Sequence, residues 1–538
     1  MLNRPKRDGG LTELTAAETA QAVRERRASP VEIVEAYLAR IAQLNPRLNA
    51  FVTVDANGAR EQARRIEAAI ERGERGGPLA GVPVSIKSSI DVAGWRCAAG
   101  SRLRADYVAA ADAPLVTRLK AAGAIVLGNT NTPEMLMAYE TDNLLQGRTN
   151  NPWDLARTPG GSSGGESAAI AARCSAAGVG SDGGGSVRVP AHFTGICALK
   201  PTPGRIPATG HFPASAGPFA LIGVVGPMAR TVADLTLMFE AMAGPDIGDP
   251  SAAPVPLMAD GRSAIDNGKR WLVRDSLSAG KVPHPSGVHQ RQTSGPSTLA
   301  NRPSATFEPA PVSVDLDRVA RTLGYCEDDG RIPVTPATRA AVRAAAEALR
   351  RAGFAVRAFR PSNLARMREL WWDIFGRVGG FVLKPFIGDR EAELSPLLRE
   401  FMGMVAADPP LTLERLIETL IARDDVRTRL LREMEQFPVL LCPVCAVPAF
   451  RHGERAWSVE GETVSYLDAM SYTQWWNIMG NPAAVVPAGR SPEGLPIGVQ
   501  VVGRPWEEEL VLSVAAEIER GLGSDCRLTS ADLPLEES

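Results

Sequence analysis

The chain has 538 residues, of which 44% are hydrophobic and 22% are charged, an ordinary composition for a globular protein of one large domain or several. A formal net charge of −2 gives no reason to expect a nucleic acid or an acidic lipid surface as a partner. The seven cysteines are an odd number scattered along a large chain, which predicts reduced thiols and a cytoplasmic protein.

The N-terminal third combines helix starts with short strand candidates. The first ten residues carry charge but no apolar run follows them, so a secretory signal is not expected. No apolar run in the chain approaches the roughly 18 residues of a membrane span. The segments 15–18 and 29–32 each form a capping box, and apolar residues recur on one helix face after the second. The apolar segments 81–86 and 124–128 predict two strands, each near a helical pattern.

Later segments continue this alternation of helices and strands. Thr335 and Pro336 predict the start of a helix, and Gly353 predicts its end. Two buried strands are predicted at 483–489 and 495–503, and a helix with three glutamates at its positive end follows them. The alternation predicts an α/β layered protein with a mostly parallel sheet.

One segment has a different composition. Residues 276–313 are dominated by proline, serine, glycine and polar residues, with no sustained period of 2 or 3.6. Such a segment cannot bury enough apolar surface to offset the entropy lost on ordering it. We therefore predict a flexible insertion over residues 262–314, which could be a surface loop, a lid over a cleft or an error in the reading of the gene.

Three short patterns match motifs of other protein classes. Residues 178–183 fit the GxGxxG dinucleotide fingerprint, but they follow an alanine-rich helical pattern instead of a strand. Residues 160–164 fit the GxSxG nucleophile elbow of α/β-hydrolases, which would make Ser162 the nucleophile and requires a late histidine. Only His452 lies in the C-terminal third, and an esterase of this type stays open as an alternative. The CxxC at 442–445 has no second ligand pair to complete a zinc site, which favours core cysteines.

A serine in a glycine loop raises the question of which residue takes its proton. In the stretch GVGSDGGGSVR, residues 178–188, three glycines precede Ser186, and a serine hydroxyl is a weak nucleophile without a base. Lys87 ends a strand-like apolar run, so we expect it to be partly buried, and burial lowers the pKa of an ammonium group. A fall from about 10.4 to near 7 corresponds to roughly 4–5 kcal/mol. Neutral lysine is then a competent base.

Motifs along nearly the whole chain outside roughly 262–314 carry a family resemblance. They are GVPVSIK (81–87), GNTNTPEM (128–135), TNNPWD (149–154), the glycine/serine run at 159–202, GVVGPMARTVADL (223–235) and the ending GNPAAVVPAG…GLPIGVQVVG. With these motifs the chain resembles the amidase signature family of serine hydrolases. The resemblance implies a single large domain over residues 1–538, with a twisted mixed, mostly parallel β-sheet covered by α-helices on both faces.

The resemblance also implies a function. Such an enzyme hydrolyses a carboxylic amide C–N bond of a small molecule, and ester or carbamate cleavage shares the same addition step. No metal or other cofactor is expected, and no nucleic acid or membrane partner, while a homodimer is left open. One alternative is the glutamine-hydrolysing subunit of a tRNA-dependent amidotransferase, whose signature often reads GGSSGGS where Glu166 here follows GGSSGG. A catalytically silent scaffold is the non-enzyme alternative.

The catalytic roles follow from the resemblance residue by residue. Ser186 matches the nucleophile, Lys87 matches the base, and Ser162 matches the bridging serine that follows a cis peptide bond in the family. Lys87 would take a proton from Ser162, which takes one from Ser186 as it attacks the carbonyl. Backbone N–H groups of the loop would converge on the developing oxyanion. They belong to Gly183, Gly184, Gly185 and Ser186.

Supporting residues are predicted around this triad. Asp182 and Arg188 flank the nucleophile and are expected to order the loop through an ion pair. Ser163 is expected to hydrogen-bond near the base or the bridging serine. The aromatic segments 371–383 and 472–483 predict either an apolar acyl or aryl pocket or part of the core.

Three further positions beside these motifs need an interpretation. Ser88 and Ser89 follow Lys87 where the family commonly has Asp-Asn, which alters the polarity beside the base. Glu166 is expected to begin the helix after the first loop and to stabilise its N-terminus. His192 is expected to be structural, because lysine replaces histidine in this mechanism.

Overall fold

The computed structural model describes residues 10–74, 76–257 and 322–523, and the predicted insertion at 262–314 lies outside the described residues. The strands within the described residues are β1 (Phe51–Val54), β2 (Pro83–Lys87), β3 (Ile125–Thr130), β4 (Ala177–Asp182), β5 (Cys197–Lys200), β6 (Val224–Ala229), β7 (Thr322–Tyr325), β8 (Ala355–Ala358), β9 (Leu440–Pro443), β10 (Ala456–Val459), β11 (Glu462–Ser465), β12 (Ala483–Arg490) and β13 (Pro496–Val502).

Helices separate most of these strands along the chain. The α-helices within the same residues are α1 (Ala16–Arg24), α2 (Pro30–Leu48), α3 (Ala56–Glu71), α4 (Pro114–Ala121), α5 (Gly164–Ala171), α6 (Arg188–Thr194), α7 (Val232–Met242), α8 (Pro336–Arg351), α9 (Leu364–Trp372), α10 (Gly379–Ile387), α11 (Pro396–Ala407), α12 (Leu413–Gln436), α13 (Tyr466–Ala469), α14 (Ser471–Ile478) and α15 (Glu508–Leu522). Not one of them is both long enough and apolar enough to cross a membrane.

Eleven strands form one mixed sheet. Their order is β1-β3-β2-β4-β6-β5-β12-β13-β9-β7-β8, and β10 and β11 form a separate hairpin. Four neighbouring pairs within the described residues are parallel, namely β3 with β2, β2 with β4, β9 with β7 and β7 with β8. The other six pairs are antiparallel. The α/β class and the mixed sheet are confirmed, but the expectation of a mostly parallel sheet is wrong, because a buried strand has the same apolar pattern in either direction.

Local sequence signals set the helix starts. Ser29 caps α2 by accepting hydrogen bonds from two backbone N–H groups, and Glu32 closes the predicted capping box. Thr15 and Glu18 form the same arrangement at α1. The side chain of Thr335 caps α8 as predicted. These predictions are confirmed because a cap depends only on residues within one helical turn.

The sheet is buried on both faces. Cys197 and Leu199 belong to one large cluster of buried side chains, while Ala198 between them belongs to another. Successive side chains of a strand point to opposite faces, so the two clusters lie on opposite sides of the sheet. Helices α8 and α15 contribute to the first cluster, and α9 and α14 contribute to the second. Helices therefore cover both faces, as expected.

The CxxC segment belongs to the core. Cys442 and Cys445 are fully buried free thiols. Burial raises the pKa of the Cys442 thiol to about 12 and raises the pKa of Cys445 as well, so neither is a ready thiolate. The described residues contain no group of three histidine, cysteine or acidic side chains arranged to hold a metal ion. The prediction of core cysteines is confirmed.

Candidate active site

Two neighbouring strands and one helix bring the predicted residues together. Lys87 is the last residue of β2, and β2 runs parallel to β4, which ends at Asp182 directly before the GGGS loop. The carboxyl ends of parallel strands lie at the same edge of a sheet. Ser163 precedes α5 and donates its backbone N–H to the carbonyl of Ser186 at 3.1 Å. The two glycine/serine loops, which lie within residues 159–172 and 180–191, therefore meet at the end of β2.

Lys87 lies in a fully buried site lined by hydroxyl groups. Its Nζ is 2.7 Å from Ser162 Oγ and 3.0 Å from both Ser163 Oγ and Ser181 Oγ. Burial lowers the pKa of Lys87 to about 7, although the charges of Asp182 and Glu166 act in the opposite direction. The amine is therefore largely uncharged slightly above neutral pH, which is the state that a base requires.

The hydroxyl protons around Lys87 have different destinations. Ser163 Oγ donates to the carbonyl oxygen of Ser181 at 3.3 Å, so its proton points away from the amine. Within the described residues Ser162 Oγ has no acceptor other than Lys87. A neutral amine carries two protons and one lone pair, so that lone pair can accept the Ser162 proton. The predicted contact of Ser163 is confirmed, and Ser181 is a third hydroxyl partner that the sequence analysis did not identify.

Ser162 and Ser186 are neighbours that are not hydrogen-bonded to each other. The Gly161–Ser162 peptide bond is cis, as the family resemblance implied. The hydroxyl-bearing residues Ser162 and Ser186 line the same cavity, but among the described residues no hydrogen bond joins their side chains. The contact between Lys87 and Ser162 is thus formed in this structure, and the contact between Ser162 and Ser186 is not.

The glycine loop is held by its carbonyl groups. The donors to these carbonyls come from three distant parts of the chain and from the following helix: Trp371 Nε1 to Gly183 O at 2.8 Å, Tyr139 Oη to Gly184 O at 2.9 Å, Thr473 Oγ1 to Gly184 O at 2.6 Å and the Val189 N–H to Gly185 O at 2.7 Å. The C=O and N–H of a trans peptide point in opposite directions. Anchoring the carbonyls on one side therefore turns the following N–H groups to the other side.

The loop offers three of the four predicted oxyanion donors. The N–H of Gly185 donates to Asp182 Oδ1 at 2.7 Å, so its assignment to the oxyanion hole is wrong. This N–H follows the doubly anchored carbonyl of Gly184 and is turned toward the carboxylate. The N–H groups of Gly183, Gly184 and Ser186 make no hydrogen bond within the described residues, and they remain candidates.

Steric constraints explain why two positions of the loop, 184 and 185, are glycine. A Cβ atom on Gly184 would lie 2.6 Å from Trp371 Cζ2, closer than van der Waals contact allows. Gly185 has a φ of +130°, a conformation that residues with side chains rarely adopt. Any larger residue here would displace the loop or the indole that anchors it.

Asp182 and Arg188 form the predicted ion pair. Both side chains are fully buried, and the guanidinium donates to the two carboxylate oxygens at 2.9 and 3.0 Å. The second oxygen also accepts the N–H of Val187 at 3.1 Å. Burial by itself raises the pKa of Asp182, but the charge and hydrogen bonds of Arg188 hold it well below its usual value. The pair fixes the turn that presents Ser186 and is confirmed as a loop-ordering contact.

Glu166 has a different role from the one expected. It lies in the first turn of α5, but its carboxylate is fully buried and accepts hydrogen bonds from Ser85 Oγ and from Thr130 Oγ1. Burial raises its pKa to about 7. A Cβ on Gly178 would overlap Glu166 Oε1, so this glycine of the GxGxxG pattern gives room to a carboxylate and lies within β4 instead of opening a helix.

The two histidines considered from the sequence take no part in the triad. His192 Nδ1 accepts the N–H of Gly498 at 2.9 Å, and Nε2 lies 3.2 Å from the carbonyl of Val447. Burial lowers its pKa to about 4, so it is a neutral core residue, as predicted. The backbone N–H of His452 donates to Ala156 O at 3.2 Å. No hydrogen bond in the described residues joins its ring to either candidate serine.

The serines that follow Lys87 are buried. Ser88 is 4% exposed and Ser89 is fully buried. Ser89 Oγ makes no hydrogen bond within the described part of the chain. The departure from the family pattern thus places two buried neutral residues directly after Lys87 in the chain.

Two cavities meet at Ser186. The first encloses about 430 Å³ including its opening, and its lining includes Ser162, Ser181, His211 and Ser215. The second encloses about 380 Å³, and its lining includes the aromatic side chains of Tyr139, Trp371, Trp372, Phe375, Phe401 and Tyr466. Leu136, Met137, Ser186 and Phe375 line both cavities. The two cavities therefore form adjacent lobes around one hydroxyl.

The two aromatic segments, 371–383 and 472–483, lie in different parts of the structure. Trp371 stacks on Phe375 with ring centroids 4.6 Å apart, and both line the second cavity. Phe375 belongs to a π-helical turn, Asp373–Val378, that continues α9 into α10. Trp475 and Trp476 are buried in the core and line neither cavity. The first segment thus lines a cavity and the second belongs to the core. That the cavity receives an acyl or aryl group stays a prediction.

Comparisons with known proteins agree with this geometry. The amidase family model matches residues 32–271 and 300–512. The chain is 34% identical to the indoleacetamide hydrolase of Bradyrhizobium diazoefficiens, over 96% of this chain and 88% of that protein. It is 32% identical to a glutamyl-tRNA(Gln) amidotransferase subunit of Moorella thermoacetica, over 94% of this chain and 96% of that protein. A bacterial aryl acylamidase superposes with a TM-score of 0.76 at 25% identity, covering 97% of this chain and 98% of that one.

Proposed function

The chain belongs to the amidase family and is a hydrolase of non-peptide amide C–N bonds, and we propose that it acts on small uncharged amides with an aromatic or bulky apolar acyl group. The observation that most directly supports hydrolysis by an activated serine is the fully buried Lys87 amine, 2.7 Å from Ser162 Oγ. Ser162 lines the same cavity as Ser186, whose loop has three N–H groups without a hydrogen bond in the described residues.

In the proposed mechanism Ser186 forms an acyl-enzyme. Neutral Lys87 takes the proton of Ser162, and Ser162 takes the proton of Ser186 while Ser186 Oγ bonds to the substrate carbonyl carbon. A rotation of the Ser186 side chain brings its hydroxyl to Ser162 for this step. Free N–H groups of the loop stabilise the oxyanion. As the C–N bond breaks, Ser162 returns a proton to the leaving nitrogen, and water then repeats the sequence on the ester.

The path of the proton indicates which cavity holds the leaving group and which holds the acyl group. The leaving nitrogen must lie on the side of Ser162, because Ser162 delivers its proton. Ser162 lines the first cavity and not the second, so we assign the first cavity to the leaving group. The acyl group then occupies the second cavity, whose six aromatic rings favour an aromatic or branched apolar acyl group.

The charge of the lining favours a stand-alone amidase over a glutamine-hydrolysing subunit. Among the described residues that line the two cavities, Asp182 is the only charged side chain, and it is paired with Arg188. The α-ammonium and α-carboxylate of glutamine need charged or strongly polar partners when they leave water. A neutral amide has no such requirement.

The test is a substrate series on the purified chain. We expect the 4-nitroanilide of phenylacetic acid to be hydrolysed at least tenfold faster, in kcat/KM, than the 4-nitroanilide of acetic acid. Ser186→Ala should abolish turnover and labelling by a fluorophosphonate while the unfolding temperature stays within a few degrees. Hydrolysis of glutamine, and of no anilide, would overturn the proposal.

Cellular location and assembly are also proposals. The six cysteines within the described residues are buried free thiols, which supports the proposal of a cytoplasmic protein. A homodimer is left open, and sedimentation analysis of the purified chain tests it. A mass of one chain, about 57.2 kDa, would reject it.

A further inference from the structure

His211 stands beside the catalytic lysine although no motif pointed to it. Its backbone forms an antiparallel bridge with Ile90, three residues after Lys87. The next residue, Phe212, donates its N–H to the carbonyl of Ser89 at 2.8 Å. These contacts fix the segment against the end of β2. His211 lines the same cavity as Ser162 and Ser186.

The hydrogen bonds of the imidazole define its tautomer. His211 Nδ1 lies 2.9 Å from the carbonyl oxygen of Pro213, and a carbonyl oxygen can only accept, so Nδ1 carries the proton. Burial lowers the pKa of His211 to about 4, and the charge of Lys87 acts in the same direction. The ring is therefore neutral at working pH. Its Nε2 is an acceptor, shielded from solvent and without a partner in the described residues.

We propose that His211 is a positioning residue for the scissile amide, whose leaving-group N–H donates a hydrogen bond to His211 Nε2. The inference rests on the proposed function, because it uses the assignment of this cavity to the leaving group. A substrate N–H that enters the cavity satisfies a buried acceptor that otherwise has none. Holding that N–H also directs the nitrogen lone pair toward Ser162, which must protonate it.

This contact makes the site selective for amides that carry an N–H. An ester, or an amide whose nitrogen is fully substituted, offers no proton to Nε2 and leaves it unpaired. A site built around a buried hydrogen-bonding group discriminates against analogues that lack the matching group. The selectivity is thus a property of His211, separate from the triad, which acts on esters and amides alike.

The test compares three substrates with one acyl group. They are the 4-nitroanilide, the N-methyl-4-nitroanilide and the 4-nitrophenyl ester of phenylacetic acid, and kcat/KM is used because it reports acylation. We expect His211→Phe to lower kcat/KM for the anilide about ten- to hundredfold, as expected for an unpaired buried polar group. The values for the N-methylanilide and the ester should change by less than about threefold on the same reasoning. His211→Gln, which restores an acceptor, should recover part of the anilide activity.

Two controls separate the possible failures. Ser215 lines the same cavity and donates to the carbonyl of Gly223 at 2.9 Å, so Ser215→Ala should change all three substrates equally. If His211→Phe lowers all three substrates equally, His211 only packs and the inference is overturned. If the wild-type chain hydrolyses none of them, or Ser186→Ala retains activity, the proposed function itself fails. Fluorophosphonate labelling of the His211 variants at the wild-type rate establishes that the site is folded.

Discussion

The pH dependence of acylation tests the central feature of the site, a lysine that is uncharged near neutral pH. Burial lowers the pKa of Lys87 from 10.5 to about 7, which corresponds to about 5 kcal/mol of preference for the neutral amine. Only the neutral amine accepts a proton from Ser162. The active fraction should therefore be about one tenth at one pH unit below this pKa and about nine tenths at one unit above it.

The assay is kcat/KM for an uncharged anilide between pH 5.5 and 9.5, since this ratio reports the ionisation of the free enzyme. We expect a single rising limb with unit slope and a midpoint near 7, followed by a plateau. The rate of fluorophosphonate labelling should follow the same curve, because it requires the same activated serine and no amide substrate.

Glu166 provides the matched control, because burial raises its pKa to about 7 as well. Its carboxylate raises the pKa of Lys87. Glu166→Gln should therefore move the midpoint of the kcat/KM profile to lower pH, and the rising limb should still be present. Loss of the limb in Glu166→Gln would assign the titration to the carboxylate. A midpoint above 9 in the wild type would mean that Lys87 is charged in the free enzyme and would refute the reasoning.

Three further changes test the surroundings of the site. His452→Ala should keep wild-type turnover, because no hydrogen bond in the described residues joins its ring to Ser162 or Ser186; an inactive variant would restore the nucleophile-elbow alternative. Arg188→Met leaves a buried carboxylate unpaired and should lower the free energy of unfolding by about 3–5 kcal/mol, measured in urea; a loss below about 1 kcal/mol would show that the pair is dispensable. Gly184→Ala places a methyl group 2.6 Å from Trp371 and should reduce kcat at least tenfold, whereas Gly403→Ala, which meets no atom within 4 Å, should not; equal activities would remove the steric argument.

Sheet direction shows where sequence reasoning about the fold reached its limit. The strands at 83–87, 125–130, 483–490 and 496–502 lie where apolar runs predicted them. The last two pair antiparallel in the centre of the sheet, although α/β alternation had suggested parallel order. Burial on both faces gives the same residue types in either direction, so direction depends on which strands become neighbours after the chain folds.

The residues of the site also fall into those that the sequence predicted and those that only the structure identified. The sequence predicted Lys87, Ser162 and Ser186 through the motifs of the family resemblance, although Lys87 lies 75 residues before Ser162. The pair Asp182 and Arg188 was predicted from the residues themselves, because the two lie six positions apart in one loop. Motif residues that touch across one or two turns can be inferred without knowing the path of the chain.

Only the tertiary structure decided which groups orient that motif. Trp371, Tyr139 and Thr473 reach the glycine loop from distant segments, Ser181 reaches Lys87 from a neighbouring strand, and His211 enters the cavity through its bridge to Ile90. The direction of the Gly185 N–H likewise depends on which partner anchors the preceding carbonyl. A hydrogen bond needs donor and acceptor within about 3 Å and aligned, and residues far apart in sequence meet that condition only when the whole sheet has formed.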